Sequence, residues 1–459
     1  MKKGFLCIIG LLIFISCNQA QEKPNKTGTL LADVTIIDVQ SGTLSEHQNI
    51  VIDSGKIKSI SSSVENPDLY NLIIAGNGKF VVPGLAEMHA HIPSPPISKE
   101  QLEETLLLYL SNGITTIRGM LGHPSHLELK NLAQRGKVLS PRIFTSSPSL
   151  NGNTVRTVEE AEAKVLQYQK DGYDFLKIHP GILLPVFDQI VKTANEVEIP
   201  FAGHVPVMVG IRHALESQFA SIDHVDGFLE GLVPERTKVN PTDNGFFGYN
   251  FTPLADTTQI AELVELSKKN KVWIVPTQSL FERWFAPVSS DELINQPEMI
   301  YMPVTTLTNW KIRKEQSTGA GTNFDKAQWQ QFIKIRQQLI KALQKDGYGI
   351  LLGSDAPQLF NVPGFSIHHE MAGMLRAGMT PLEILRSGTI NPARFFNMED
   401  TFGQIKEGLD ADFILVNANP LQDITALKAL EGVMVRGTWL DRKTIDKKLK
   451  VIAANSENR

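Results

Sequence analysis

Apolar positions follow two rhythms along the chain. Between residues 29 and 80 they come in short β-branched runs, Val34-Thr35-Ile36-Ile37 and Asn49-Ile50-Val51-Ile52. The turn Asp53-Ser54-Gly55-Lys56 follows, and Ile57 and Ile60 resume the strand pattern, so no helix of useful length fits here. From residue 81 the rhythm becomes strand, helix, strand. Thr157-Val158-Glu159-Glu160 reads as a capping box opening a helix that ends near Asp171-Gly172, just before a strand from Phe175 to Ile178. Helices over residues 184–195, 257–270 and 328–344 precede apolar strands at 200–204, 272–275 and 348–353, and Thr380-Pro381-Leu382-Glu383 opens another helix. About eight such units across residues 81–398 predict an α/β fold, a closed (β/α)8 TIM barrel. The competing doubly wound sheet lacks its signature, since no G-x-G-x-x-G turn follows any of these strands. Beyond residue 399 short strands return at 411–416 and 432–437. Residues 29–80 and 399–459 are therefore expected to pair into a small composite β-sandwich domain. Segments 226–256 and 279–323 are longer than connections need, carry aromatic residues, and would lie over the carboxyl ends of the barrel strands.

The N-terminus stands apart from this pattern. Lys2 and Lys3 precede an apolar run, Phe5 to Ile15, that is short for a membrane span. Phe14-Ile15-Ser16-Cys17 then resembles a bacterial lipoprotein signal, with Phe14 where leucine is usual. That resemblance implies a signal over residues 1–17, a linker over 18–28, lipidation of Cys17, and a mature protein anchored to a membrane of the cell envelope, facing periplasm or exterior. The only cysteines are Cys7 and Cys17, so disulfides and cysteine nucleophiles are excluded downstream. A catalytic metal would have to be held by nitrogen and oxygen. The 459 residues are 42% hydrophobic and 20% charged, ordinary for a globular chain, and the net charge of -4 gives no reason to expect nucleic-acid binding. Nothing in the composition speaks against a homo-oligomer.

Chemistry concentrates where a barrel would place it. His89 and His91 close the run Val81-Val82-Pro83-Gly84-Leu85-Ala86-Glu87-Met88; residues two apart on a strand face one way, so both can address one metal. Lys177 interrupts the apolar strand Phe175-Leu176-Lys177-Ile178, where an unpaired charge is costly. Reaction with carbon dioxide would turn it into a carbamate able to bridge two cations. His204, His224 and Asp355 each follow a different predicted strand at its carboxyl end.

This ordered set resembles the amidohydrolase superfamily, in the binuclear group with a bridging lysine. The flanking words agree: Pro83-Gly84-Leu85 before H-x-H, Gly113-Ile114-Thr115-Thr116-Ile117-Arg118 on strand two, Asn391-Pro392-Ala393 after strand eight, and the stretch from Gly403 to Asp412. The resemblance implies a metal-dependent hydrolase of a small-molecule amide with two divalent ions, zinc fitting histidine and carboxylate ligands best. On the family pattern His89, His91 and Asp355 hold one ion, His204 and His224 the other, an N6-carboxylated Lys177 bridges, and Asp355 is the general base. His179, sharing the inward face with Lys177, and Arg118, ending strand two, are candidate substrate contacts. Many dipeptide-cleaving relatives carry a Gly-Gly-His segment after strand three; here Ser147-Pro148-Ser149-Leu150-Asn151-Gly152-Asn153 has no histidine, which puts a dipeptide substrate in doubt. A deaminase of the same fold and a non-catalytic ligand-binding lipoprotein are the alternatives. Lys177 and the complete ligand set weigh against them.

Overall fold

The computed structural model describes residues 26–64 and 66–459; Cys17 and the signal-like segment lie outside them. Strand β1 (Thr29–Ile37) pairs antiparallel with β2 (Leu44–Asp53), which pairs with β3 (Lys56–Ser61) across the expected turn. Strands β4 (Leu72–Ala75) and β5 (Phe80–Pro83) run parallel to β1. The chain leaves this sheet at Gly84, a little past the expected boundary at residue 81. A Cβ there would lie 2.1 Å from Thr115 Oγ1, so only glycine lets the two bodies approach so closely.

Strands β6 (Leu85–Ala90), β7 (Ile114–Gly119), β8 (Arg142–Leu150), β9 (Phe175–Ile178), β10 (Phe201–Gly203), β11 (Ser221–Asp223) and β12 (Trp273–Val275) then lie side by side in sequence order, all parallel. An eighth segment, residues 350–356, closes the ring. It bridges β12 at Ile274↔Ile350 and β6 at Ala90↔Ala356, with Leu351 N donating to Ile274 O at 2.8 Å and Met88 N to Leu352 O at 2.8 Å. It is not a regular strand, because Asp355 sits at φ 65 and turns the chain. The result is a (β/α)8 barrel with its connecting helices outside. The helix Val158–Asp171 is capped by Thr157, whose side chain accepts from Glu160 N. The other half of the expected box is displaced by one residue, since Glu160 Oε2 accepts from Arg156 N at 2.7 Å. At Thr380 and Glu383 both halves form.

Strand β13 (Phe413–Val416) returns antiparallel to β5 and leads to β14 (Leu430–Val435) and β15 (Thr438–Asp441). The two ends of the described chain thus build one eight-stranded mixed sheet with its own core of Leu31, Ile50, Ile57, Val81, Phe413 and Met434. The chain does not finish in strands, however. Asp441 Oδ1 accepts from Thr444 N at 2.7 Å and starts a helix, Arg442–Glu457, that buries Ile445, Leu449 and Ile452. Among the described residues no helix is long and apolar enough to cross a membrane.

Candidate metal centre

The carboxyl ends of the barrel strands bring the six expected residues into one cluster. His89 ends β6 with His91 just beyond it, Lys177 lies within β9, His204 and His224 follow β10 and β11, and Asp355 comes from the closing segment. The imidazoles form a continuous run: ring centroids are 5.4 Å apart for His91 and His89, 4.5 Å for His89 and His224, and 4.6 Å for His224 and His204. Asp355 Oδ1 faces His91 Nε2 at 2.7 Å and His89 Nε2 at 3.4 Å. One ligand atom from each of His89, His91 and Asp355 falls within 4.8 Å of the other two. His224 and Asp355 both adopt left-handed backbone, φ 64 and φ 65, and this costs about 1–3 kcal/mol per residue that the surrounding barrel must supply.

Burial sets the charge states. It pushes His89, His204 and His224 well below the usual histidine range, with Lys177 reinforcing His89 and His204 and with His89 reinforcing His224, so these rings are neutral and offer lone pairs. It lowers Lys177 to about 8, which makes the uncharged, nucleophilic amine accessible near neutrality. It raises Asp355, an effect His91 opposes.

These residues fit a cation. Imidazole nitrogens of His89 and His91 and a carboxylate oxygen of Asp355 crowd within 4.8 Å of one another, a nitrogen and oxygen donor set that suits a cation. The buried atoms His89 Nδ1, Lys177 Nζ, Asp223 Oδ2 and Asp355 Oδ1 have no hydrogen-bond partner among the described residues, in a protein interior where such atoms are normally paired. His204 Nδ1 is instead tied to Asp226 Oδ2 at 3.0 Å and His224 Nδ1 to Thr277 Oγ1 at 2.8 Å. Fixing one ring nitrogen leaves Nε2 of each as the nitrogen free to ligate, the usual arrangement behind metal-binding histidines.

The two candidate substrate contacts part company. Arg118 is fully buried beneath the ligands. Its Nε donates to Met88 O at 2.7 Å, Nη1 to Ser221 Oγ at 2.9 Å and Nη2 to Asp223 Oδ1 at 3.0 Å. Its donors are spent on β6 and β11, and the expected contact with a substrate carboxylate is not the use the structure makes of it. His179 is half-buried at the rim, its ring stacked 5.0 Å from that of His204, and burial depresses it to about 2. His368 and His369, which follow the closing segment, point inward: the first bonds Asn112 Oδ1 at 3.1 Å and the second Glu298 Oε1 at 2.8 Å.

Sequence reasoning passed over three buried acids. Asp223 lies 3.2 Å from His89 Nδ1, and Asp226 holds His204. Glu87, raised to about 8 by burial, accepts from His89 N at 3.2 Å and from Ser354 N at 2.7 Å, joining the two strand ends that carry His89 and Asp355. An acid within a wholly apolar strand, as in Ala86-Glu87-Met88 and Ile222-Asp223, is the signal that was available.

The long segments build an aromatic wall beside the histidines. Phe247, at φ 51, sets its ring 5.8 Å from His204 and 5.3 Å from His224. Phe246 meets it edge-on at 4.8 Å and continues the wall to Trp284 at 4.9 Å. All three are half-buried, backed by the buried Phe281 and Phe285.

The family model described as "Amidohydrolase family" matches residues 80–440. Ochratoxinase of Aspergillus niger is 32% identical over 118 residues, a match spanning 25% of this chain and only 24% of that enzyme. Imidazolonepropionase of Kosmotoga olearia is 23% identical over 394 residues, 83% of this chain and 87% of that one. In overall fold the chain is similar to the solved bottromycin amidohydrolase, with a TM-score of 0.69 at 21% identity, covering 93% of this chain and 90% of that chain.

Proposed function

The chain belongs to the amidohydrolase family and is a hydrolase acting on carbon–nitrogen bonds, and we propose that it is a metal-dependent enzyme cleaving the amide bond of a small molecule. The observation that carries this reading is the convergence of His89, His91 and Asp355, with buried atoms around them that have no hydrogen-bond partner among the described residues. On this reading His89, His91 and Asp355 would hold one divalent ion, His204 and His224 would hold a second, and Lys177, as a carbamate, would serve both. The carbamate forms when the uncharged Lys177 amine adds to carbon dioxide, making an N–C bond and releasing one proton. Bound zinc supplies Lewis acidity toward the scissile carbonyl and lowers the pKa of water.

The chain's own groups do the rest. Asp355 accepts a proton from the attacking water and delivers it to the departing nitrogen as the C–N bond breaks. Asp226 and Thr277 hold His204 and His224 in their tautomers, and Arg118 with Asp223 braces the floor beneath His89. Phe247, Phe246 and Trp284 make one side of the mouth apolar, which suits a substrate with a bulky uncharged substituent next to the amide. Lipidation of Cys17 would keep the enzyme at a membrane of the cell envelope. The test is a hydrolysis screen of dipeptides, N-acyl amino acids, cyclic amides and cyclic imides with metal-reconstituted protein. Hydrolysis that disappears on chelation and returns with zinc is expected. Failure on every amide would overturn the reading, and release of ammonia alone would redirect it to deamination.

A further inference from the structure

His179 differs from its neighbours in the way its first ring nitrogen is held. Asn151 Oδ1 accepts from the backbone nitrogens of Asn153 at 2.8 Å and Thr154 at 3.1 Å, which fixes the orientation of the carboxamide. Its Nδ2 therefore points the other way and donates to Ser149 Oγ at 2.8 Å. The same hydroxyl lies 2.6 Å from His179 Nδ1. A serine hydroxyl has a single hydrogen. With Asn151 donating into the oxygen, that hydrogen goes to His179 Nδ1; in the opposite arrangement, with Nδ1 donating, it would have no acceptor among the described residues. Among the described residues the bonding is complete only with Nδ1 as acceptor, which assigns the ring proton to Nε2.

The consequence is chemical. A nitrogen bearing that proton has no lone pair for a metal, so His179 is set apart from His204, against which it stacks at 5.0 Å with the rings 26° from parallel. What remains is a neutral N–H donor on a half-buried ring beside His204, held by the strand-three segment. A permanently charged carboxylate would be matched better by a guanidinium, and Arg118 is committed below the floor. A preorganised neutral donor is suited to an oxygen that gains charge only as the reaction proceeds.

We propose that His179 is a catalytic residue whose Nε2–H donates to the oxygen of the scissile carbonyl. This rests on the amide-hydrolysis reading above. Two measurements test it. Long-range 1H–15N correlation spectra of the histidine-labelled protein, taken before metal is added, should show the Nε2–H tautomer at His179, and S149A should lose that bias. On an amide that passes the screen, H179F should lower kcat by about 10²–10³-fold with KM little changed and metal content intact. H179Q, whose amide nitrogen reaches the Nε2 position, should recover part of the loss, and H179N should not. An Nδ1–H tautomer in the wild type, or an H179F variant with normal kcat or with only a raised KM, would overturn the assignment while leaving the amidohydrolase reading standing. A wild type inactive on every amide would instead remove that reading, and the donor role with it, whatever the tautomer.

Discussion

Replacing Arg118 by methionine separates a structural strut from a substrate clamp. Methionine keeps most of the stem's volume but removes the guanidinium, which is 0% exposed and reaches Met88 O, Ser221 Oγ and Asp223 Oδ1. The guanidinium carbon also lies 5.4 Å from the ring centroid of Phe175 and 5.0 Å from that of Phe395. Without it, Asp223 keeps a buried carboxylate with, among the described residues, no Lys or Arg beside it but Lys177, whose Nζ is 3.9 Å from its Oδ2. Breaking a buried ion pair from one side costs about 3–5 kcal/mol, a large share of the ~5–15 kcal/mol that holds a typical domain folded. Urea unfolding of the metal-free protein should therefore show a sharply lower midpoint for R118M. Removing both charges with R118M/D223L should restore part of it, because the orphaned carboxylate is gone. KM should change far less than stability in whatever single variant remains folded. A normal unfolding midpoint together with a raised KM would refute this reasoning and return Arg118 to the substrate.

Three further outcomes follow from the same geometry. D355N should keep the fold and most of the bound metal yet lose about 10²–10⁴-fold in kcat; normal turnover would show that the proton travels elsewhere. Asp226→Ala should weaken metal affinity by about 10–100-fold in a competition titration, since His204 loses the carboxylate on Nδ1; unchanged affinity would show that His204 is not a ligand. Cys17→Ser should move the protein from the membrane to the soluble fraction of its host and abolish labelling by fatty acid, whereas retention at the membrane would rule out a lipid anchor at that residue.

Much of the architecture was legible because the barrel repeats a local pattern. Every apolar run between helices but the last became a parallel strand, the last closing the ring only through isolated bridges, and helix starts such as Thr157 and Thr380 were marked by their capping residues. The positions of His89, His91, Lys177, His204, His224 and Asp355 were readable for the same reason: Lys177 interrupts an apolar run and the others sit at or just past the end of one, and the pattern determines each run's direction. What the pattern could not supply was the direction of a long side chain after it leaves the strand. Arg118 ends β7 and looked like a rim cation, but its guanidinium turns down toward β6 and β11, where Asp223 compensates its charge. The hydrogen-bonded chain Asn151–Ser149–His179 joins a loop to a strand and has no signature in either segment alone. The C-terminal helix was a misreading of available information, since Ile445, Leu449 and Ile452 already recur at helical spacing behind the cap at Asp441.

Metal stoichiometry bears most directly on the central claim. Purified protein, reconstituted with zinc in the presence of bicarbonate and desalted, should retain two ions per chain by elemental analysis, and K177A should retain one or none. Protein that holds no divalent ion under these conditions, or a K177A variant that still binds two, would contradict the account.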